Sequence, residues 1–210
     1  MSPPRMVVFL VCIGACAFAQ PAPQPVAAWS FNQRLVGLAR DIGADIHHAS
    51  ILSTSKYEAS PGGYALVLDG QGARAMARNH PDLVMTDSVT LDAWVLIEKL
   101  DTPEPQTIVD KGGERYRLQV NPGGGVLFGL KNDAGRFDLS GGRVQPGKWT
   151  RITGVFQRPR ARLYLDAQLV AEGTWDRQIG PGADLHIGSK GGVTYFMHGQ
   201  IDELRIYREA

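Results

Sequence analysis

Between Trp149 and Tyr207 the chain alternates apolar and polar residues in short runs separated by turn residues. In ARLYLD, Ala161, Leu163 and Leu165 alternate with Arg162 and Tyr164, the pattern of a half-buried antiparallel strand. Asp166-Ala167 then reverses the chain into QLVAEG, so a hairpin is expected there. Similar segments recur upstream: AAWSF, YALVLDG, VTLDAWVLI, TIVD, YRLQV, VLFGLK and WTRITGVF, with Gly, Pro, Asn and Asp between them. No segment carries a long helical period. With 25 Gly and 13 Pro, the chain reads as an all-β sandwich or barrel rather than a series of βαβ units. Two packed antiparallel sheets are expected.

VTLDAWVLI places Val89, Leu91, Ala93 and Val95 on one side and Trp94 and Leu96 on the other, which marks a central strand. YRLQV turns Tyr116, Leu118 and Val120 inward, leaving Arg115, Arg117 and Gln119 to meet water or a ligand. The stretch from Asn32 to Gly63 shows little alternation and is expected to be a long loop, of the kind that is functional or pinned. In the final strand Leu204 and Ile206 mark the core side, and a period of two puts Asp202 with them.

Composition bounds the function classes. The 210 residues, 43% hydrophobic and 20% charged, suffice for one globular domain. Residues 1–19 have the form of an export signal: Arg5, an apolar run from Met6 to Cys16, and Ala17-Phe18-Ala19 before the cleavage point. Ile13-Gly14-Ala15-Cys16 also fits a bacterial lipobox, so Cys16 is a candidate for lipidation and a surface anchor is the alternative to free secretion. Residues 20–26 form a Pro-rich spacer, and the folded domain is expected over 27–210. Both cysteines, Cys12 and Cys16, fall in the leader, so the domain has no disulfide to draw on. No apolar run reaches the roughly 20 residues of a membrane-spanning helix. With 22 basic and 21 acidic residues, loss of Arg5 leaves the charges balanced, which argues against nucleic acid as a partner. The cluster Arg158, Arg160 and Arg162 reads as a solvated turn.

Taken in order, AWSF, ARDIGADIHHA, YALVLDGQG, VTLDAWV, TIVDKGGERYRLQV, PGKWTRITGVF, RLYLDAQLVAEG, LHIGS and GQIDELRIY resemble the laminin-G-like domains of the concanavalin A-like lectin and glucanase superfamily. The resemblance spans about residues 27–209 and implies an antiparallel jelly-roll β-sandwich. It departs from the family at Asp166-Ala167, where Asp-Gly is common, so a turn of another type is expected there. It departs again in the early loop, which keeps Asp41 and Gly43 without the usual polar sequence.

The resemblance also implies a structural calcium at the sandwich rim, for which Asp202 and Asp41, with Asp69 as a further ligand, are the matching positions. Local alternatives are a hydrogen-bonded Asp202 and an Asp69 that opens a turn with Gly70. Adjacent His47 and His48 read as incidental. Trp94 and Trp149 lie inside strands and are expected in the core, whereas Trp175 in GTWDRQIG is free to reach a ligand together with Arg115 and Arg117. Glucanases of the superfamily carry Glu-x-Asp-x-Glu on one strand. Asp202 and Glu203 are adjacent and are expected on opposite faces, so no such catalytic pair is expected. The expected function is an exported, non-catalytic module binding carbohydrate or another extracellular ligand; a surface-tethered adhesion module and a polysaccharide hydrolase or lyase are the alternatives.

Overall fold

The computed structural model describes residues 23–52 and 56–209. The leader, Cys16 and the start of the spacer lie outside the described residues. The first sheet runs β14 (Gln168–Thr174), β13 (Arg160–Leu165), β12 (Trp149–Gln157), β7 (Ser88–Ile97), β16 (His198–Tyr207), β5 (Gly63–Asp69), β4 (Lys56–Ser60), with β1 (Ala27–Trp29) also paired to β16. The second runs β11 (Gly135–Arg143), β10 (Gly125–Asn132), β9 (Tyr116–Val120), β8 (Gln106–Lys111), β15 (Leu185–Ile187), β6 (Arg74–Ala77), β3 (Ala49–Leu52), β2 (Leu38–Ala39). Their pairings are antiparallel, and the two sheets form a jelly-roll sandwich as expected.

Between the sheets lies one apolar core. Val89, Leu91, Ala93, Val95 and Ile97 of β7 and Ile152 and Phe156 of β12 face Val109, Leu118 and Phe128 of the second sheet's strands. The layers interlock closely: a Cβ on Gly154 of β12 would stand 2.6 Å from the Phe128 ring, so only glycine leaves that ring its place. β7 is central, flanked by β12 and β16.

The structure differs from the sequence reading in the segment 32–63, which is not one loop but holds β2, β3 and β4. β6 and β11 also lacked a readable signal. The sequence of β6 is RAMA, with no β-branched residue, and β11 is an edge strand whose GRFDLSGGR is largely polar; partner strands rather than propensity make them strands. The Asp166-Ala167 turn is likewise not of another type. Both residues have positive φ, 48° and 65°, as a type I′ hairpin requires. Asp166 holds the turn by accepting the Arg151 N–H at its Oδ1 (2.9 Å) while its own N–H donates to the Arg151 carbonyl (2.9 Å).

The outer face of the second sheet is closed rather than open to ligand. Arg117, expected to meet water or ligand, is 0% exposed. Its Nη2 lies 2.5 Å from Asp138 and its Nε donates to Gln119 (3.0 Å), whose amide in turn donates to Thr107. Glu114 collects Lys190 (3.0 Å), Lys131 (3.5 Å), Arg117 and Arg136 (both 3.8 Å). The segment after β15 is tied over this face, with the Gly191 N–H donating to Asp110 (3.0 Å) and the Tyr195 carbonyl accepting from Thr107 (2.9 Å). Arg115 is separated from Arg117: it pairs with Asp133 (2.7 Å) and packs against Gly180 and Gly182. The two arginines therefore do not share a binding surface.

Two stability changes follow from these features. Ala167→Gly relieves a left-handed alanine and is expected to raise unfolding free energy by about 0.5–1 kcal/mol in denaturant titration, once the added glycine entropy is offset. Burial pushes the Asp110 carboxyl up to about 6, against the Gly191 N–H and the Arg117 charge that pull it down. The folded form therefore holds this proton more tightly than the unfolded chain. The resulting stabilisation is complete below pH about 4 and is lost as pH rises through about 6. Asp110→Asn is expected to flatten that decline and to raise stability at pH 7 by up to about 3 kcal/mol, measured by thermal melts across pH 4–8.

Candidate functional site

The outer face of the first sheet carries the accessible chemistry. Residues directly opposite one another in antiparallel strands share a face. Across β12, β7 and β16 this rule aligns Arg151 with Trp94 and Asp202, and Thr153 with Asp92 and Arg205; Trp149 lies opposite Leu96. The inner positions of β7 are filled by Ala93 and Val95, and those of β12 by Thr150 and Ile152, so the period of two sends Trp94 and Trp149 outward. The expectation that both indoles are core is thus corrected: each is half-buried on the outer surface.

Buried Asp92 organises this face. The Arg151 guanidinium grips it through Nε (2.9 Å) and Nη2 (2.8 Å), one nitrogen to each carboxylate oxygen, and Thr153 Oγ1 donates to it as well (2.7 Å). The bidentate pair with Asp92 raises the Arg151 pKa further above its ordinary value and fixes the side chain across the strands. Trp94, Trp149, Arg151, Asp166 and Ala167 line a cavity of about 410 Å³. A second cavity of about 410 Å³ shares Arg151 and Ala167 and extends over Thr153, Arg162 and Tyr164. Together they make a trough with indoles at one end, a fixed cation in the middle and a phenol beyond it.

Trp175 does not reach a ligand. It is 8% exposed, with Phe137 stacked nearly parallel at 6.4 Å and Phe156 tilted at 5.8 Å. The loop that carries it is pinned by its own N–H, which donates to the Pro159 carbonyl (2.7 Å).

Asp202 is not on the core side. Between Asp202 and Arg205 the register of β16 against β7 shifts, so that two residues, Glu203 and Leu204, stand where β7 offers only Ala93. Glu203 takes a positive φ of 50° to make this bulge. The extra residue resets the alternation: Leu204 and Ile206 face the core, while Asp202 lies on the outer face with Trp94. It is nevertheless buried, under the β4–β5 turn. Ser60 Oγ donates to it (2.6 Å), as do the N–H groups of Glu203 (2.7 Å) and Gly62, and a Cβ at Gly62 would stand 2.5 Å from its Oδ2. Burial raises its pKa against those bonds. The bulge also corrects the expectation that Asp202 and Glu203 point apart. Glu203 bonds Arg205, which itself approaches Asp92 (3.9 Å), so both acids belong to the outer side, each engaged by its own partners.

The expected calcium ligands do not fit that ion. Asp41 is buried and accepts four backbone N–H groups, from Ala28 and Gly43 at Oδ1 and from Ile46 and His47 at Oδ2. Asp69 accepts from Gln71, Gly72 and Ala73, the turn-opening role foreseen as its alternative. Among the described residues these aspartates do not form a common group of ligand atoms; the group of three that does form is His47, His80 and Asp82, whose ligating atoms lie within 4.8 Å of one another. Adjacent His47 and His48 concealed it, because the partners of His47 come from a segment more than 30 residues away.

Comparison with known structures and sequences places the architecture. The binding domain of Paraclostridial Mosquitocidal Protein 1 superposes with a TM-score of 0.75 at 10% identity, over 89% of this chain and 49% of that one. Domain 4 of AbnA, a GH43 extracellular arabinanase from Geobacillus stearothermophilus solved with arabinotriose, gives 0.71 at 21% identity over 90% and 94%. The botulinum neurotoxin serotype G binding domain gives 0.68 at 14% identity over 88% and 48%, so the chain spans about half the length of these toxin domains. No curated protein sequence matches. The sequence profile described as the concanavalin A-like lectin/glucanases superfamily, of laminin-G type, matches residues 69–210, and the chain therefore belongs to that family.

Proposed function

We propose that this protein is an exported, non-catalytic binding module that recognises an oligosaccharide in the trough of the first sheet. The observation that carries this reading is the pair of outward indoles, Trp94 and Trp149, at a cavity of about 410 Å³ whose floor holds the immobilised Arg151. Indole faces stack on the apolar faces of sugar rings, and a guanidinium held by Asp92 keeps N–H donors available for hydroxyl or carboxylate oxygens at little entropic cost. Asp166 supplies an acceptor at the rim. Solved relatives in this fold support the reading: AbnA domain 4 was captured with arabinotriose, and a botulinum neurotoxin binding domain with SialylT.

Binding without turnover fits the acids of this face. Asp92 is saturated by Arg151 and Thr153, and Asp202 by Ser60, Gly62 and Glu203, which leaves neither placed as a poised acid or nucleophile. The leader at residues 1–19 supports export, with a lipid on Cys16 as the form that would tether the module to a surface.

A glycan array that includes arabino-oligosaccharides and sialylated glycans tests the proposal. Trp149→Ala and Trp94→Ala are each expected to weaken the best binder by about tenfold or more while leaving the melting temperature nearly unchanged, since both rings face outward. Binding that survives both substitutions would move the site elsewhere. Mass spectrometry of the mature N-terminus is expected to show processing after Ala19; a diacylated Cys16 would instead establish the tethered form.

A further inference from the structure

His47, which lines neither cavity of the trough, is held from both sides. Its N–H donates to Asp41 (3.0 Å) and its carbonyl accepts the Trp29 indole N–H (3.1 Å). The imidazole is 1% exposed, yet its Nε2 is buried without a hydrogen-bond partner. A buried polar atom without a partner is uncommon in a folded protein and calls for one. Facing it are His80, which caps the 3-10 turn Pro81–Leu83, and Asp82 within that turn. His80 presents its ring edge-on at 4.9 Å, and Asp82 presents Oδ2 at 3.8 Å from the His47 Nε2 and 3.4 Å from the His80 Nδ1.

We propose that His47, His80 and Asp82 form a binding site for a first-row transition-metal dication of the zinc class. The donor set is two imidazoles and one carboxylate, which suits zinc and its neighbours and excludes calcium, whose ligands are oxygens. Two ligands at about 2.05 Å on a tetrahedral zinc lie about 3.3 Å apart. The Asp82 oxygen stands 3.4 and 3.8 Å from the two imidazole nitrogens and all three atoms lie within 4.8 Å, so a metal would draw them together and take the His80 Nδ1 lone pair that now accepts the Asp82 N–H. Asp82 and His80 are 47% and 45% exposed, which opens an entry path and a fourth position for water. Burial lowers the His47 pKa despite the opposing charge of Asp41, a direction that favours the neutral ring a metal requires. Lys111 also acts on this ring with the sign that disfavours a cation, and Arg208 approaches Asp82 at 3.9 Å. Bound metal would tie the loop before β3 to the segment before β7. The site is independent of the proposed glycan trough.

The test uses the untagged full-length protein, stripped with chelator and titrated with Zn²⁺, Co²⁺ and Ca²⁺. One equivalent of Zn²⁺ is expected to bind and raise the melting temperature, Co²⁺ to develop the visible bands of a low-coordinate nitrogen and oxygen site, and Ca²⁺ to do neither. His80→Asn retains an acceptor for the Asp82 N–H. Together with Asp82→Asn, it is expected to weaken Zn²⁺ by at least about tenfold, with the metal-free melting temperature preserved because both side chains are half exposed. Absence of stoichiometric Zn²⁺ binding, or binding undiminished in both variants, would overturn the proposal.

Discussion

The ladder that β16 builds holds the first sheet together. This last strand hydrogen-bonds β7 along most of its length, β5 on the other side and β1 beyond its bulge, so residues distant in sequence meet on it. Because side chains alternate, one inserted residue at Glu203 decides which face every residue upstream of it occupies. The bulge lets Leu204 and Ile206 seal the core beside Trp29 while Asp202 stands on the other side under the β4–β5 turn. An uninterrupted strand would drive that carboxylate into hydrocarbon, at a cost of several kcal/mol.

Burial of charge distinguishes the two outer faces. On the second sheet, Arg117 pairs with Asp138 and Glu114, and Asp110 accepts the Gly191 N–H of the segment after β15, so the face is spent on structure. On the first sheet the Asp92–Arg151 pair fixes a cation in an open trough beside half-buried aromatic rings. The same residue classes therefore serve cohesion on one side and leave recognition chemistry on the other. What separates the cases is whether a loop lies over them.

Architecture and the residues of the inner layer were legible because they rest on a local rule. Alternation in VTLDAWVLI and ARLYLD names the inward residues of β7 and β13 directly, and the turn residues mark where strands end. The site was less so. Trp175 sits in a sequence that reads as a loose loop, yet Phe137 and Phe156 from different strands enclose it. Arg117 obeys the alternation, but nothing near it in sequence announces that Gly191 and Tyr195 are tied across its face.

By itself, then, the amino-acid sequence determined an all-β sandwich, its central strand β7 and the inward residues of strands such as β7 and β13, since hydrophobic periodicity is written residue by residue, while the order of its motifs carried the resemblance to laminin-G-like domains. Tertiary structure alone decided the rest: that Asp202 faces outward, that Trp94 and Trp149 border a trough, that Asp41 is saturated by backbone N–H groups, and that His47 meets His80 and Asp82. Each depends on a bulge, a covering loop or a crossing between segments tens of residues apart. Such contacts arise from strand register and packing, which no local pattern encodes.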